Sequence, residues 1–400
     1  MYMTKLSSIA DYVTDKISSN DIALREYVTT DCILQNKKGR EIATNLPPQS
    51  CCLTRYQHGD VLIANIRPYL KKVWFADIDG GASSDVLVFR AKEGHSPSFL
   101  YAVLLQDSFF DYVMQGAKGS KMPRGDKEQI LRYEMPTLSC SEESIGTFFL
   151  NLDQKIRLNE QINQNLEAMA KQLYDYWFVQ FDFPNEEGKP YKSSGGEMLW
   201  NDKLKRNIPV GWHCGNLFEI AVFTNGLACQ KFRPKDDDMP LPVIKIREMH
   251  DGISVDTEEV TSNIPESVKV YNGDVLFSWS ASLEVMLWAY GLGGLNQHIF
   301  KVTSANDFPK SFYYFQLLDY VDVFKKMAEA RKTTMGHITQ DHLQQSTIAI
   351  PDNKDIADKF EELISPIFKQ IVKLQEEISN FIKQRDELLP LLMNGQITIE

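Results

Sequence analysis

Two stretches of apolar residues at helical spacing constrain the fold of this chain more than any other feature. Within residues 145–177, apolar side chains recur at alternating intervals of four and three, which places them on one face of a helix. Residues 360–392 repeat this spacing in the same phase, at an offset of about 215 positions. Both seams are longer than a typical globular helix of about 12 residues. We therefore expect two long helices that pair as a coiled coil, parallel or antiparallel; the alternative is that each is a core helix of its own domain.

The residues on these seams define the predicted helix-pair interface. They are Leu152, Ile156, Asn159, Asn163, Leu166, Leu173, Ile367, Ile371, Leu374, Ile378, Phe381 and Leu388. Asn159 and Asn163 stand where the second seam has Leu374 and Ile378, and a polar residue at such a position costs stability while it fixes register and partner choice. Pro366 lacks a backbone donor, so the second helix is expected to begin near it or to kink there.

The repeat extends beyond the helices. The run Gly-Asp-Val-Leu occurs at residues 59–62 and again at 273–276, and Met135-Pro136 is echoed by Ile350-Pro351, just ahead of the second helix. In each copy, short apolar runs bounded by Gly, Asn, Asp or Pro indicate strands. A longer run at three- and four-residue spacing then indicates a helix. The chain is therefore predicted to be a duplicated unit, with a pseudo-twofold internal repeat.

The predicted fold class is α+β, with two tandem mixed domains that are each followed by a long helix. Strands are expected at residues 60–66 and 73–78 in the first copy and at 275–279 and 285–290 in the second, with helices at 98–115 and 309–330. The predicted boundaries are 1–144 and 208–355 for the mixed domains, 145–182 and 356–400 for the long helices, and 183–207 for a linker rich in Gly, Lys, Ser and Glu.

Composition bounds the class of protein. The net charge of −11 argues against a chain that coats nucleic acid by itself, although it leaves room for a local basic face. No apolar run is long enough to cross a bilayer and no charged-then-apolar leader opens the chain, so we expect a cytoplasmic protein without membrane association. The six cysteines have no regular spacing, which predicts reduced thiols and no metal site.

Three basic segments are candidates for contacts with the phosphates of nucleic acid. They lie at residues 65–72, 116–125 and 330–337, and the last two are equivalent in the repeat. Glycines in two of them let the backbone approach a phosphate closely. The predicted phosphate-contacting cations are Lys71, Lys72, Lys118, Lys121, Arg124, Arg331 and Lys332. The alternative is that these segments are solvated turns with incidental lysines.

Side chains that discriminate base edges are needed for sequence reading, chiefly Arg and Lys toward guanine and Asn and Gln toward adenine. The candidates are Asn65, Arg67, Ser278, Ser280, Asn296, Gln297 and His298. Each of them has three alternatives: a phosphate contact, a hydrogen bond within the fold, or an exposed side chain without a role.

Catalytic signatures are mostly absent from the sequence. It has no phosphate loop of the Gly-x-x-x-x-Gly-Lys-Ser/Thr type and no nucleophile-elbow motif. The Asn-Leu-Pro-Pro-Gln run at residues 45–49 has the wrong order for an amino-methyltransferase. We therefore expect a non-catalytic reader of DNA, with no cofactor of its own.

Several runs of residues carry a resemblance to a known family. They are Leu-Asp-Gln-Lys-Ile at 152–156, Leu-Glu-Ala-Met-Ala at 166–170, Trp-Phe-Val at 177–179, Ile-Pro-Val-Gly-Trp at 208–212 and Gln-Arg-Asp-Glu-Leu-Leu-Pro at 384–390. With two mixed domains that each precede a long helix, the chain resembles the specificity subunit of type I restriction-modification enzymes over nearly its whole length.

This resemblance implies two target recognition domains, each reading one half of a split site in double-stranded DNA. It also implies that the helices recruit two methyltransferase subunits, which bind S-adenosylmethionine and methylate adenine, and it leaves room for a motor-nuclease subunit. A seam of about 50 Å would span more than one turn of DNA, about 34 Å, and so set the unread spacer. Two alternatives stay open, a related system whose methyltransferase and nuclease are fused in one partner, and a coiled-coil scaffold that binds protein.

Overall fold

The computed structural model describes residues 3–138, 141–235, 239–280, 282–330 and 338–399, without the side chains of 328–330. The chain forms two compact units. The first unit comprises Met1–Leu158 and Asn380–Glu400, and the second comprises Asn159–Ser379. Each unit thus holds one copy of the repeat together with a portion of each long helix.

The first half of the chain begins with short strands and ends in the first long helix. Its elements are β1 (Met3–Lys5), α1 (Leu6–Ile9), β2 (Ala10–Tyr12), β3 (Lys16–Ser18), β4 (Tyr27–Val28), β5 (Cys52–Tyr56), β6 (Val61–Ala64), β7 (Val73–Phe75), β8 (Gly80–Ala82), β9 (Val86–Ala91), α2 (Pro97–Leu105), α3 (Asp107–Gln115), α4 (Lys127–Ile130), β10 (Glu134–Pro136) and α5 (Glu142–Tyr174).

The second half of the chain follows a similar order. Its elements are β11 (Met198–Asn201), β12 (Arg206–Pro209), β13 (Trp212–Gly215), α6 (Leu217–Ile220), β14 (Ala221–Asn225), β15 (Pro240–Ile244), α7 (Ile246–Asp251), β16 (Glu259–Thr261), β17 (Lys269–Val270), β18 (Val275–Ser278), β19 (Glu284–Leu287), β20 (Gly293–Leu295), β21 (Ile299–Ser304), α8 (Lys310–Ala330), α9 (Gln340–Gln344), β22 (Ile348–Pro351) and α10 (Asp355–Met393).

Each unit contains a four-stranded antiparallel sheet with the same strand order. The order is β2-β9-β6-β7 in the first unit and β14-β21-β18-β19 in the second. The central strands β6 and β18 are buried throughout because both of their faces are covered, which explains why they read as continuous apolar runs. The shared topology confirms the predicted repeat and the α+β class.

The second four-stranded sheet differs between the two units. It has the order β3-β5-β8-β4 in the first unit, with β4 parallel to β8, and β16-β15-β20-β17 in the second, with β15 parallel to β20. Two adjacent glycines begin each of the equivalent strands, Gly80 and Gly81 in β8 and Gly293 and Gly294 in β20. At Gly80 a Cβ atom would lie 2.1 Å from the carbonyl oxygen of Glu26, so only glycine lets the chains approach here.

The helices pair in the antiparallel sense within each unit. In the second unit, the Asn159 amide donates to Glu377 Oε2 at 3.1 Å, and the Asn163 amide donates to the backbone oxygen of Ile371 at 3.3 Å. In the first unit, Asp153 on α5 lies 3.9 Å from Arg385 on α10. Rising numbers on one helix therefore meet falling numbers on the other, and the predicted pairing of the two helices is confirmed.

The residues of the predicted interface are removed from solvent to different degrees. Those that are buried are Leu152, Ile156, Asn163, Ile371, Leu374 and Ile378. Those that are partly buried are Asn159, Leu166, Leu173, Ile367, Phe381 and Leu388. Helix α10 runs through Pro366, so the expectation that the helix begins near that residue was wrong. Pro366 is exposed, and Phe360, Ile364 and Phe368 on either side of it are buried in the core of the second unit.

The segment for which the sequence predicted a linker is folded. Phe183 is buried and stacks on Tyr191 at 4.8 Å and on Trp212 at 5.7 Å between ring centroids. Strand β11 pairs with β12, and the hairpin that they form crosses the predicted boundary at residue 207. The composition of the segment indicated a linker, but its aromatic residues bury enough apolar area to hold it against the second unit.

The structure also bears on membrane-spanning helices, metal ligands and disulfides. No helix in the described part of the chain is both long and apolar enough to cross a membrane. Within that part, no group of three or more His, Cys, Asp or Glu side chains is placed to hold a metal ion. Cys32, Cys51, Cys52, Cys214 and Cys229 are free thiols, whereas Cys140 lies outside the described residues.

Candidate nucleic-acid interface

Two basic segments of the first unit lie side by side although they are far apart in sequence. The backbone N–H of Arg67 donates to the oxygen of Pro123 at 2.8 Å, and Ile66 forms an isolated bridge with Arg124. The backbone N–H of Gly125 donates to the oxygen of Asn65 at 3.3 Å. We call Arg67, Lys118, Lys121 and Arg124 the first basic edge. It is formed where the end of β6 meets the loop that follows α3.

Local backbone geometry presents Arg67 at this edge. Arg67 and Lys71 flank a 3-10 turn, Pro68–Leu70, and both have left-handed backbone angles, with φ of 54° and 50°. Residues other than glycine rarely adopt this conformation unless their surroundings impose it. The side chain of Arg67 is exposed, and Tyr69 beside it is 49% exposed. The edge thus combines a cation with an aromatic ring that can stack.

The four cations of the first basic edge differ in their partners. Among the described residues, no hydrogen bond or ion pair reaches the exposed side chains of Arg67 and Lys121. Lys118 lies 3.2 Å from Asp126, and Arg124 lies 3.2 Å from Asp85. A hydrogen bond from the Gln129 backbone N–H and the Lys118 ammonium together lower the pKa of Asp126. Two cations are therefore free to meet an anion, and two exposed ion pairs can exchange partners at little cost.

Three of the predicted contacts in this unit serve the fold instead. Lys71 pairs with Asp107 at 2.9 Å, and Lys72 donates to the backbone oxygen of Thr30 at 2.6 Å. The side-chain amide of Asn65 donates to the oxygen of Gly125 at 3.3 Å, so this residue joins the two segments. Each of these groups thus has a partner within the unit and helps to position the basic edge, while the buried side-chain oxygen of Asn65 has no partner among the described residues.

The second unit brings its predicted base-reading residues together at the equivalent place. Ser278 ends β18 directly opposite Ile299, which begins β21. The Trp279 ring and the His298 ring are 5.7 Å apart, and the Gln297 amide nitrogen lies 3.2 Å from His298 Nε2. His298 is exposed, and the other two side chains are partly exposed. We call Trp279, Gln297 and His298 the second edge.

The other predicted base-reading residues of the second unit are buried. Ser278 is fully buried and its hydroxyl donates to the oxygen of Ser280, which is 8% exposed. Asn296 is 6% exposed, and its side-chain oxygen accepts from the backbone N–H of His298 at 3.3 Å. These three residues are buried next to the second edge and do not form part of its exposed surface. Arg331 and Lys332 lie outside the described residues.

The two edges are equivalent by backbone hydrogen bonding. In the first unit, the backbone N–H of Asn65 donates to the backbone oxygen of Asp85 at 2.9 Å. In the second unit, the backbone N–H of Trp279 donates to the backbone oxygen of His298 at 3.4 Å. The N–H of Gly125 donates to the oxygen of Asn65 at 3.3 Å, as that of Ile338 donates to Trp279 at 3.0 Å. The repeat therefore builds the same strand-end frame twice and fills it with different side chains.

Further cations near the second edge were missed from the sequence. Lys231 and Arg233 are exposed at the end of a segment that begins at Leu227. Leu227 forms an isolated parallel bridge with Asn296 and accepts from the backbone N–H of Gln297 at 2.9 Å. The signal was the alternation of cations with Phe232 and Pro234, but it has no counterpart in the first copy. Repeat matching therefore passed over it.

Comparisons with known proteins agree with this architecture. Residues 209–387 match the family model described as the type I restriction modification DNA specificity domain. The chain is 23% identical over 397 residues to the type I restriction enzyme MjaIX specificity subunit of Methanocaldococcus jannaschii, covering 96% of this chain and 87% of that protein. It is also 23% identical over 462 residues to the HindI specificity subunit of Haemophilus influenzae, covering 98% of each.

A solved structure shares the fold across the whole chain. The type I restriction-modification system S subunit from M. genitalium superposes with a TM-score of 0.61 at 12% sequence identity, covering 100% of this chain and 96% of that one. Residues 209–387 thus match the type I restriction modification DNA specificity domain, the chain is similar over nearly its full length to two type I restriction enzyme specificity subunits, and it shares the fold of the solved S subunit.

Proposed function

We propose that this chain reads a split site in double-stranded DNA, one half-site with each unit, and directs adenine methylation by partner subunits. The observation that carries the proposal is the strand-end frame that occurs in both units with the same two backbone hydrogen bonds. A frame that is kept while its side chains change suits two domains that read different sequences on one duplex.

The two edges supply the chemistry that such reading requires. Arg67 and Lys121 have no acidic partner in the part of the chain that the structure describes and can neutralise phosphates, or Arg67 can donate to the O6 and N7 atoms of guanine. On the second edge, the Gln297 amide suits the N6 and N7 atoms of adenine. His298 stands beside it as an exposed hydrogen-bonding ring. Cations therefore set the position of each unit on the duplex, and a few side chains set its sequence preference.

Partner subunits carry out the reaction in this proposal. Two methyltransferase subunits would bind S-adenosylmethionine and methylate adenine, and a motor-nuclease subunit would join them where the system restricts DNA. The two relatives are both specificity subunits of type I restriction enzymes, which supports this assignment. The unread spacer between the half-sites would follow from the length of the helix pair, and the chain itself would hold no cofactor.

A methylation map tests the proposal most directly. Genomic methyladenine would be mapped in the native host, in a strain that lacks this gene, and in that strain after the gene is restored. Loss and recovery of methylation at one split motif is the expected result. Unchanged methylation, together with no site-selective DNA binding by the purified complex, would refute the proposal and favour the protein-binding scaffold.

The subunit composition of the purified complex separates the remaining alternative. A complex of one copy of this chain with two copies of a methyltransferase is expected. A partner that carries methyltransferase and nuclease in one polypeptide would assign the chain to a related restriction system instead.

A further inference from the structure

A loop with left-handed backbone angles is hydrogen-bonded to the turn that presents Arg67. Asn36 and Lys37, at the tip of the loop formed by residues 33–40, have left-handed backbone angles, with φ of 56° and 62°. Their backbone N–H groups donate to the oxygens of Leu70 and Lys71 at 2.9 and 3.0 Å. Two left-handed segments are thus joined edge to edge. Such a conformation persists only where the surroundings determine it, and it is concentrated at functional sites.

The ammonium group of Lys37 connects this loop to three parts of the first unit. Lys37 is only 5% exposed, and its Nζ lies 2.8 Å from Asp107 at the start of α3 and 3.4 Å from Asp386 on α10. Asp107 also pairs with Lys71 at 2.9 Å, which closes the connection back to the Arg67 turn. Burial alone would raise the pKa of Asp107, but the two ammonium groups outweigh it and lower that pKa.

The connection continues into the helix pair. Asp386 lies beside Arg385, whose Nε is 3.0 Å from its carboxylate, and Arg385 lies 3.9 Å from Asp153 on α5. Asp153 and Arg385 are 2% and 3% exposed. A chain of charged side chains, of which Lys37, Asp153 and Arg385 are buried, therefore runs from both long helices to the turn that presents Arg67, all within one compact unit.

We infer that Lys37 is a positioning residue for DNA reading, which fixes the Arg67 turn relative to helix α10 through Asp107 and Asp386. This inference rests on the proposed function. Lys37 touches no DNA itself, because its charge is buried and shared between two carboxylates. Lys37 acts on DNA binding through Arg67. When Lys37 fixes the position of the turn that carries Arg67, the Arg67 side chain meets the duplex at a defined position.

Lys37→Met is the informative variant because it removes the charge and keeps a side chain of similar length. The carboxylates that lose Lys37 are 53% and 43% exposed and keep Lys71 and Arg385 as partners, so water and these groups can accommodate them. Lys301→Met in the second unit is the matched control, since Lys301 is 13% exposed and lies 2.8 Å from Asp274.

The test is a double-mutant cycle with the full chain assembled with its methyltransferase partner. The probe is a duplex that carries the motif found by the methylation map, alongside duplexes with one half-site changed. Lys37→Met and Arg67→Ala are each expected to weaken binding about tenfold, the size of one good contact to DNA, at the same half-site. The double variant should bind no more weakly than Arg67→Ala, and Lys37→Arg should restore binding.

The outcomes separate this inference from the function on which it rests. Independent effects that multiply in the double variant would overturn the inference, as would Lys37→Met weakening both half-sites equally or matching the Lys301→Met control. Asp386→Asn provides a second measurement and should show the same half-site selectivity. A wild-type complex without any site-selective binding would refute the proposed function instead.

Discussion

Charge reversal on the first basic edge is the perturbation that most sharply tests whether this surface meets DNA. In the variant that combines Lys121→Glu with Arg124→Glu, two exposed cations become anions without any change to buried groups. Each phosphate contact contributes about 0.9 to the slope of log affinity against log salt concentration. Removal of both contacts should therefore reduce the magnitude of that slope by roughly 2.

The structure also bounds the loss of affinity. A slope change of roughly 2 corresponds to about a hundredfold loss at 0.1 M salt, relative to 1 M, where the counterion effect has vanished. Arg124 already interacts with Asp85 at 3.2 Å, so part of its charge is compensated before DNA arrives. We therefore expect a loss between about tenfold and a hundredfold, equal for cognate and unrelated sequences because phosphates carry no sequence information.

The assay is a salt titration of DNA binding by the assembled complex, with fluorescence anisotropy as the readout. Lys127→Glu combined with Arg132→Glu is the matched control, because it changes the net charge equally at exposed positions of the same unit that are not among the four cations of the edge. Arg132 pairs with the exposed Glu128, and this pair contributes little to stability. An unchanged slope in the edge variant, or an equal change in the control, would remove this surface from the interface.

Three further predictions concern the stability of the second unit. Partial burial would lower the pKa of His213, but Asp352 at 2.6 Å and Glu219 outweigh it and raise that pKa. The contribution of His213 to stability is therefore complete below about pH 6.5 and is lost as the pH rises through the raised pKa. His213→Gln should make the stability less dependent on pH, as urea midpoints measured at several pH values would show. Asn163→Leu should raise the free energy of unfolding in urea by about 1 kcal/mol or more, because among the described residues the buried side-chain oxygen of Asn163 has no partner; a lower free energy of unfolding would contradict this. Trp177→Ala should lower the free energy of unfolding by about 3–5 kcal/mol in thermal unfolding, since the ring is 5% exposed and its centroid lies 5.5 Å from that of Phe360. A loss below about 1 kcal/mol would contradict this packing.

The long helices and the repeat could be predicted because both depend on periodic signals within the sequence. Apolar spacing locates a helix whatever its partner is, but the seams of α5 and α10 fit parallel and antiparallel pairing equally well. The sense of pairing depends on polar partners such as Glu377, which lies off the seam and meets Asn159. No local pattern identifies such a residue before the partner helix is in place.

The candidate site was harder to predict because it depends on contacts between distant segments. The approach of Arg67 to Pro123 follows from where β6 ends and how the loop after α3 returns, and neither is periodic. Asn296 and Ser278 were chosen by residue type, yet such polar groups can also be buried when the fold gives them partners. Lys37 could not be singled out, since nothing in the sequence distinguishes it from its neighbours Lys38 and Arg40 in an irregular loop.

Equivalent positions of the two long helices carry different side chains, and this difference affects which helices can pair. Asp153 and Arg385 form a buried pair in the first unit, whereas the positions that the repeat makes equivalent to them hold Phe368 and Ala170. If either helix paired with a second copy of itself, one charge of the pair would be buried without the other. Asp153 would keep Arg157 and Arg385 would keep Asp386 on the same helix, so the cost is smaller than that of a buried charge left without any partner, about 3–5 kcal/mol. Pairing of α5 with α10 is therefore favoured over the exchange of equivalent helices between chains, although the apolar seams alone would permit both.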